Sequence, residues 1–337
     1  MHQRELLILS ASEASSRRTQ RVDPAAKPSM PSFVRETPAP RAVIEVVAAD
    51  GARLRVRRHG NPRGPRLMLS HGNGFAIDGY FGFWSRFLGS FDVVVFDMRS
   101  HGQNPRAEPP NHDYAHMVPD LDGICRAVGE EFGEKPTAGV CHSMSAQCAM
   151  LQALAGRSDF AALILFDPPD VPPPGHPVRG KMEDYEHKLA RWARQRRTHF
   201  DEPLELAENY ASTRSGQRWA EGAAEQMARA VLQPDTAGGS RLACPTELEA
   251  SMYLQVIPLG LWPKRSDFAM PVKLIAADPD KPYPAATALS NRALAAEGGF
   301  DYVAIPGTTH LLQLEEPAAC ADAALEFLSE IGFSPGI

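Results

Sequence analysis

The segment Gly139-Val140-Cys141-His142-Ser143-Met144-Ser145 lies between a hydrophobic run and the helix-like stretch from Ala146 to Ala155. A strand, a sharp turn carrying a serine and then a helix is the layout of a nucleophile elbow. A serine hydroxyl is a poor nucleophile at neutral pH, so it needs a base in reach and a rigid turn that holds its oxygen out. The usual G-x-S-x-G spacing puts small residues two before and two after the serine, because the strained turn is crowded. Here those positions hold Cys141 and Ser145, small but not glycine. The motif is degenerate in its letters, and its context has to carry the case.

Partners for the serine follow downstream. The run Val272 to Ala277 ends in Ala277-Asp278-Pro279-Asp280, and the run Tyr302 to Ile305 is followed by Gly307-Thr308-Thr309-His310. Serine, carboxylate and histidine thus occur in the chain order of a hydrolase triad, each in a loop after a strand. An imidazole can take the serine proton near neutral pH, while a carboxylate fixes its tautomer and stabilises the imidazolium. Attack on a carbonyl would put negative charge on its oxygen, which calls for preorganised donors. The turn His71-Gly72-Asn73-Gly74-Phe75, directly after the strand Arg66 to Ser70, has glycines that let backbone N–H groups approach a ligand. The N–H groups of Asn73 and Met144 are the expected oxyanion hole. His142, although adjacent to Ser143, is expected to be structural, with its ring turned away from the hydroxyl.

The elements that must position these residues alternate. Short β-rich runs occupy 42–48, 53–58, 66–70, 92–96, 137–141, 161–166, 272–277 and 302–305, and helical patterns such as 117–132 and 318–331 intervene. The first two runs read as a hairpin around Asp50-Gly51. Alternation predicts an α/β fold, a mainly parallel eight-stranded sheet covered by helices on both faces, with ligands at the carboxyl ends of its strands. The proline-rich stretch 168–174 interrupts it. Helical stripes then follow, Met182, Tyr185, Leu189, Trp192, next Trp219, Ala223, Met227, Val231, and last Leu248, Met252, Val256. The expected organisation is a tail at 1–40, a core at 41–168 and 269–337, and a helical lid inserted at 169–268. The basic cluster Arg191, Arg194, Arg196, Arg197 reads as a solvated helix face.

Composition narrows the function classes. The 337 residues carry a formal charge of −6, so no electrostatic footprint for nucleic acid is present. Five cysteines, odd in number and widely spaced, suggest reduced thiols, and no His/Cys/Asp cluster has the spacing of a metal site. No signal-peptide core builds up after Leu6 to Leu9, and no window reaches the roughly 18 apolar residues that a spanning helix requires. A cytoplasmic protein without metal or organic cofactor is expected, either monomer or homodimer.

Four landmarks in order, His71-Gly72-Asn73-Gly74, Asp97-Met98-Arg99-Ser100-His101-Gly102, the elbow at Ser143 and Gly307-Thr308-Thr309-His310, resemble those of the α/β-hydrolase superfamily. The likeness spans about residues 42 to 331. It is closest to the serine esterase-like branch with an H-G-x-G oxyanion turn, a structural D-x-R-G-H-G turn, a G-H-S-M-G elbow and a helical lid after the sixth strand. Ser100 stands where that turn usually has glycine. The resemblance implies that the acid closes a G-x-x-D loop, which selects Asp280. Asp278 is the alternative acid, and Asp167 a third, since some members take the acid from the preceding strand.

Serine at the elbow argues against the dehalogenase and epoxide-hydrolase branches, which carry aspartate there. The expected function is a serine hydrolase cleaving a carboxylic ester of a small to medium apolar substrate through an acyl-enzyme on Ser143, His310 and Asp280. Phe75, Trp192 and Trp219 are the candidate pocket residues. Lactone, thioester or carbon–carbon bond hydrolysis would use the same triad. A ligand-binding protein that keeps the hydrolase pocket but turns over weakly is the alternative from another class.

Overall fold

The strands predicted from sequence assemble into one sheet whose two faces are set by residue parity. In the computed structural model, which describes residues 36–108 and 110–334, the strands in chain order are β1 (Ala42–Val47), β2 (Arg53–Gly60), β3 (Arg66–Ser70), β4 (Asp92–Phe96), β5 (Thr137–His142), β6 (Ala162–Phe166), β7 (His199–Phe200), β8 (Leu232–Pro234), β9 (Ser240–Leu242), β10 (Val272–Ala276) and β11 (Asp301–Ala304). The helices are α1 (Phe81–Trp84), α2 (Tyr114–Phe132), α3 (Met144–Leu154), α4 (Arg179–Arg194), α5 (Pro203–Ser212), α6 (Ala223–Val231), α7 (Thr246–Leu259), α8 (Ala286–Gly298), α9 (Leu312–Glu315) and α10 (Pro317–Glu330). Of the tail expected at 1–40, residues 1–35 lie outside the described residues.

Eight strands form the main sheet in the order β1-β2-β4-β3-β5-β6-β10-β11. The hairpin β1–β2 is antiparallel, with Gly51 at φ +87°, and β2 also meets β4 antiparallel; every other pairing is parallel. The central strands are buried along their whole length, as a sheet covered on both faces requires. Leu67, Leu69, Val93, Val95, Ile164 and Phe166 face one apolar layer with α1 and α10. The alternate residues Met68, Val94, Phe96, Leu163 and Leu165 face the other, with α2, α3 and α8.

The segment between β6 and β10 contributes α4, α6 and α7 where the helical stripes lie, together with α5 and a three-stranded antiparallel sheet in the order β7-β9-β8 that the periodicity did not reveal. Two- and three-residue strands are too short to leave an alternating pattern. On α4 the buried row is Met182, Glu186, Ala190 and Ala193, whereas Trp192 is 41% exposed. The predicted stripe thus lies one residue off the true inward face. The basic cluster also divides. Arg191, Arg194 and Arg197 are exposed, but the Arg196 side chain is 7% exposed and pairs with buried Glu249 of α7 at 2.5 Å. Burial works against the charge of Arg196, but Glu249 more than offsets it and holds the guanidinium above its ordinary value.

Candidate active site

Ser143 leaves β5 at φ +52° and ψ −115°, a conformation few side chains adopt, and Met144 begins α3 immediately after it. The turn is held from several sides. The Ser143 N–H donates to the Phe166 carbonyl at 2.9 Å, and the Ser145 hydroxyl lies 3.0 Å from both the N–H and the carbonyl of His142. A serine at the position usually held by glycine therefore bonds back onto the elbow. The close approach is made by the neighbouring turn. A Cβ on Gly72 would lie 2.9 Å from His142 Nδ1 and 3.2 Å from Ser143 Cβ, and one on Gly74 would meet the Glu249 carboxyl at 2.3 Å.

His310 reaches the serine from the loop after β11, with Nε2 3.0 Å from Ser143 Oγ. Its Nδ1 lies 2.7 Å from Asp167 Oδ2. A carboxylate can only accept, so Nδ1 carries the proton and the Nε2 lone pair faces the serine hydroxyl. The loop is pinned. The Gly307 N–H donates to Asp278 Oδ2 at 2.7 Å, the Thr309 N–H to Glu315 Oε2 at 3.1 Å, and His142 Nε2–H to the His310 carbonyl at 2.9 Å. His142 Nδ1 in turn accepts the Tyr80 hydroxyl at 2.9 Å. Burial, then the neighbouring His310, push the His142 pKa well below its ordinary value, and the ring bridges the Tyr80 hydroxyl and the His310 carbonyl.

The carboxylate that meets His310 is the third candidate of the sequence reading, Asp167, and not Asp280 or Asp278. Asp280 sits beyond the end of β10, with its side chain 81% exposed and bonded to Arg292 at 2.7 Å. Asp278 spends its carboxylate on the N–H groups of Gly307 and Asp280. Neither meets His310. Asp167, fully buried, follows β6 directly, and Phe166 of β6 lies opposite His142 of β5 in the register, so the serine and this carboxylate leave adjacent strands at the same height. Its oxygens accept from Ala277 N–H at 3.1 Å, Thr287 Oγ1 at 2.5 Å and Asn291 Nδ2 at 3.4 Å, besides His310.

Asn73, Ser143, Met144 and His310 line one narrow cavity, completed by Tyr114, Pro169, Glu186, Leu189, Met252, Tyr253 and Val256. Met144 is the first residue of α3, so its N–H has no acceptor within the helix. The Asn73 side chain donates to the Glu249 carbonyl at 2.8 Å and ties the turn to α7. The three aromatic candidates are elsewhere. Phe75 and Trp219 pack on each other and on Tyr210, and Trp192 lies under the Arg196 guanidinium at 5.0 Å. These rings are spent on packing and do not line the cavity. Glu186 had no signal beyond its place beside Tyr185.

A larger depression of about 960 Å³ lies at the opposite, amino edge of the sheet, lined by Arg66 and Thr137 at the starts of β3 and β5. It is remote from Ser143. The fold also gathers His101, His112 and Cys244, whose potential ligand atoms lie within 4.8 Å of one another, a grouping that sequence spacing did not show. His101 has no ring nitrogen to spare, because Nδ1 bonds the Arg99 carbonyl at 2.9 Å and Nε2 accepts the Gly74 N–H at 3.1 Å. All five cysteines are free thiols. No helix among the described residues is long and apolar enough to cross a membrane.

Among known protein families, the sequence matches the alpha/beta hydrolase family over residues 67–323. The chain belongs to that family. A search among curated proteins finds no match. Similar solved structures include an E-2-(acetamidomethylene)succinate hydrolase, 18% identical with a TM-score of 0.68, covering 86% of this chain and 99% of that one. A thermophilic esterase from Thermogutta terrifontis is 20% identical with a TM-score of 0.61, covering 86% and 99%. An enol-lactonase from Burkholderia xenovorans LB400 is 18% identical with a TM-score of 0.61, covering 85% and 100%. At these identities the likeness is one of fold.

Proposed function

We propose that this alpha/beta hydrolase family member is a serine hydrolase that cleaves a carboxylic ester, with Ser143 as nucleophile, His310 as general base and acid, and Asp167 as the orienting carboxylate. The observation that carries this reading is the continuous relay from Ser143 Oγ through His310 to Asp167, at 3.0 Å and 2.7 Å, with the serine on a strained turn. Family membership and the fold of the solved relatives support it, and the insert at 169–268 acts as a cap over the site.

The geometry translates into steps. Ser143 Oγ attacks the ester carbonyl carbon while its proton passes to His310 Nε2. Asp167 accepts the Nδ1–H bond throughout and stabilises the imidazolium without taking the proton. The tetrahedral oxyanion is met by the N–H groups of Asn73 and Met144. As it collapses, Nε2–H protonates the departing alkoxide, leaving an acyl-serine. His310 then deprotonates a water that attacks the acyl carbon, and the returned proton restores the Ser143 hydroxyl as the acid leaves. Cap residues Leu189, Met252 and Val256 give the cavity an apolar wall suited to a small acyl or alkyl group.

The test is labelling by a fluorophosphonate probe, followed by a panel of short-chain esters, lactones and thioesters. Wild type should label and hydrolyse at least one ester, and Ser143→Ala should do neither. Activity that survives the alanine substitution would reject the nucleophile. No labelling and no turnover on the panel would favour the binding-protein alternative, and lactone or thioester turnover without ester turnover would shift the bond type on the same triad.

A further inference from the structure

Two buried glutamates face each other's helices in the insert, and the protein treats them differently. Glu249 of α7 has an internal counterion, Arg196 at 2.5 Å, and the Tyr253 hydroxyl donates to it at 3.4 Å. Glu186 of α4 is 1% exposed and has no hydrogen-bond or ion-pair partner among the described residues. Its side chain lines the cavity that holds Ser143 and His310. The adjacent Tyr185 ring packs edge-on against the His310 ring, with centroids 6.3 Å apart, which sets this turn of α4 over the relay.

A carboxyl group buried without a partner costs several kcal/mol when ionised. The cavity lining contains no lysine or arginine that could repay that cost. Burial alone raises the Glu186 pKa well above the ordinary value, with no neighbouring charge or donor to lower it. A ligand can supply what the chain omits. We propose that Glu186 recognises a basic nitrogen on the substrate, so that the substrate class is a small ester carrying an ammonium-type cation. The proposal rests on the catalytic reading above and deepens it.

The surroundings fit such a group. Tyr114 and Tyr253 border the same cavity, where an aromatic ring can attract a cation, while Leu189, Met252 and Val256 take the alkyl chain that joins it to the ester. The bound cation draws Glu186 into its ionised form, and the proton it displaces goes to solvent. An isosteric neutral group gains no such charge attraction.

The experiment compares two p-nitrophenyl esters that differ only in the end of the acyl tail, one a trimethylammonium group and the other its carbon isostere, a tert-butyl group. Wild type should favour the cationic ester in kcat/KM by about thirtyfold or more, the scale of a desolvated charge pair, and Glu186→Gln should bring that ratio close to one. A wild-type preference for the neutral ester, or an equal preference in both proteins, would overturn the assignment while leaving the serine hydrolase reading intact. Calorimetric titration with n-butylammonium provides a readout independent of turnover. Binding to wild type that weakens at least tenfold in Glu186→Gln supports the site even if neither ester is cleaved, and absent or equal binding rejects it. Circular dichroism verifies the variant's fold, and should Glu186→Gln fail to fold, Glu186→Met takes its place in both measurements.

Discussion

Replacing Asp167 by asparagine should abolish nearly all activity, and the structure explains why the amide cannot substitute. Both carboxylate oxygens face donors: Oδ2 meets His310 Nδ1–H and the Thr287 hydroxyl, and Oδ1 meets the Ala277 N–H and Asn291 Nδ2. An amide must set its NH₂ against one of these pairs. Facing His310, it forces the imidazole to move its proton to Nε2, and the atom 3.0 Å from Ser143 Oγ then has no lone pair to accept the serine proton. Loss of the correct tautomer in a serine triad costs about 10⁴ in kcat, roughly 5.5 kcal/mol of transition-state stabilisation. Asp280→Asn removes only a contact between two largely exposed side chains, and should leave kcat/KM within about twofold. The assay is steady-state hydrolysis of p-nitrophenyl acetate, with urea midpoints to verify folding and the ring-nitrogen resonances of His310 to read the tautomer. An Asp167→Asn enzyme within tenfold of wild type, or an Asp280→Asn enzyme as impaired as Asp167→Asn, would refute the reasoning.

Other outcomes follow from the same geometry. His310→Ala should lower kcat by about 10³ or more, since the relay acts as a unit, and a loss below tenfold in the same assay would remove it from the mechanism. Arg196→Met strands the buried Glu249 carboxylate and should destabilise the fold by about 3–5 kcal/mol, seen as a shift in urea midpoint; a change under 1 kcal/mol would mean that Glu249 finds another partner. Acid should destabilise the protein early. Burial holds His59 and His71 at about 4, against about 6.5 for an unfolded histidine, so the unfolded state binds more protons as the pH falls below 6.5. Their contribution is whole above pH 6.5 and is lost between 6.5 and about 4, at up to about 1.4 kcal/mol per pH unit for each ring. Glu186 titrates in the opposite sense, so the test is a difference: the gap in urea midpoint between wild type and His59→Phe should change from pH 7 to 5, and a gap that stays flat would contradict this.

What the sequence could determine was whatever depends on local pattern. The eight strands of the main sheet, the hairpin at Gly51, the helices flanking them, and the positions of Ser143 and His310 in loops after strands all follow from periodicity and turn chemistry, which act over a few residues. The tight turn at Gly72 and Gly74 was legible for the same reason, because its glycines mark a close approach before any partner is known. Which of the three candidate carboxylates meets His310 was not legible. Asp167 and Asp280 both follow strands, and choosing between them requires knowing that β6 lies beside β5 with Phe166 opposite His142, a fact of strand order and register that no local signal carries. The pocket likewise depends on the rotation of α4 about its axis. A shift of one residue turned Glu186 inward and Trp192 outward, and the packing of α4 against α7 decides that angle. Long-range packing chose which of several chemically equivalent side chains meet, because the free energy of burial is shared across elements distant in the chain.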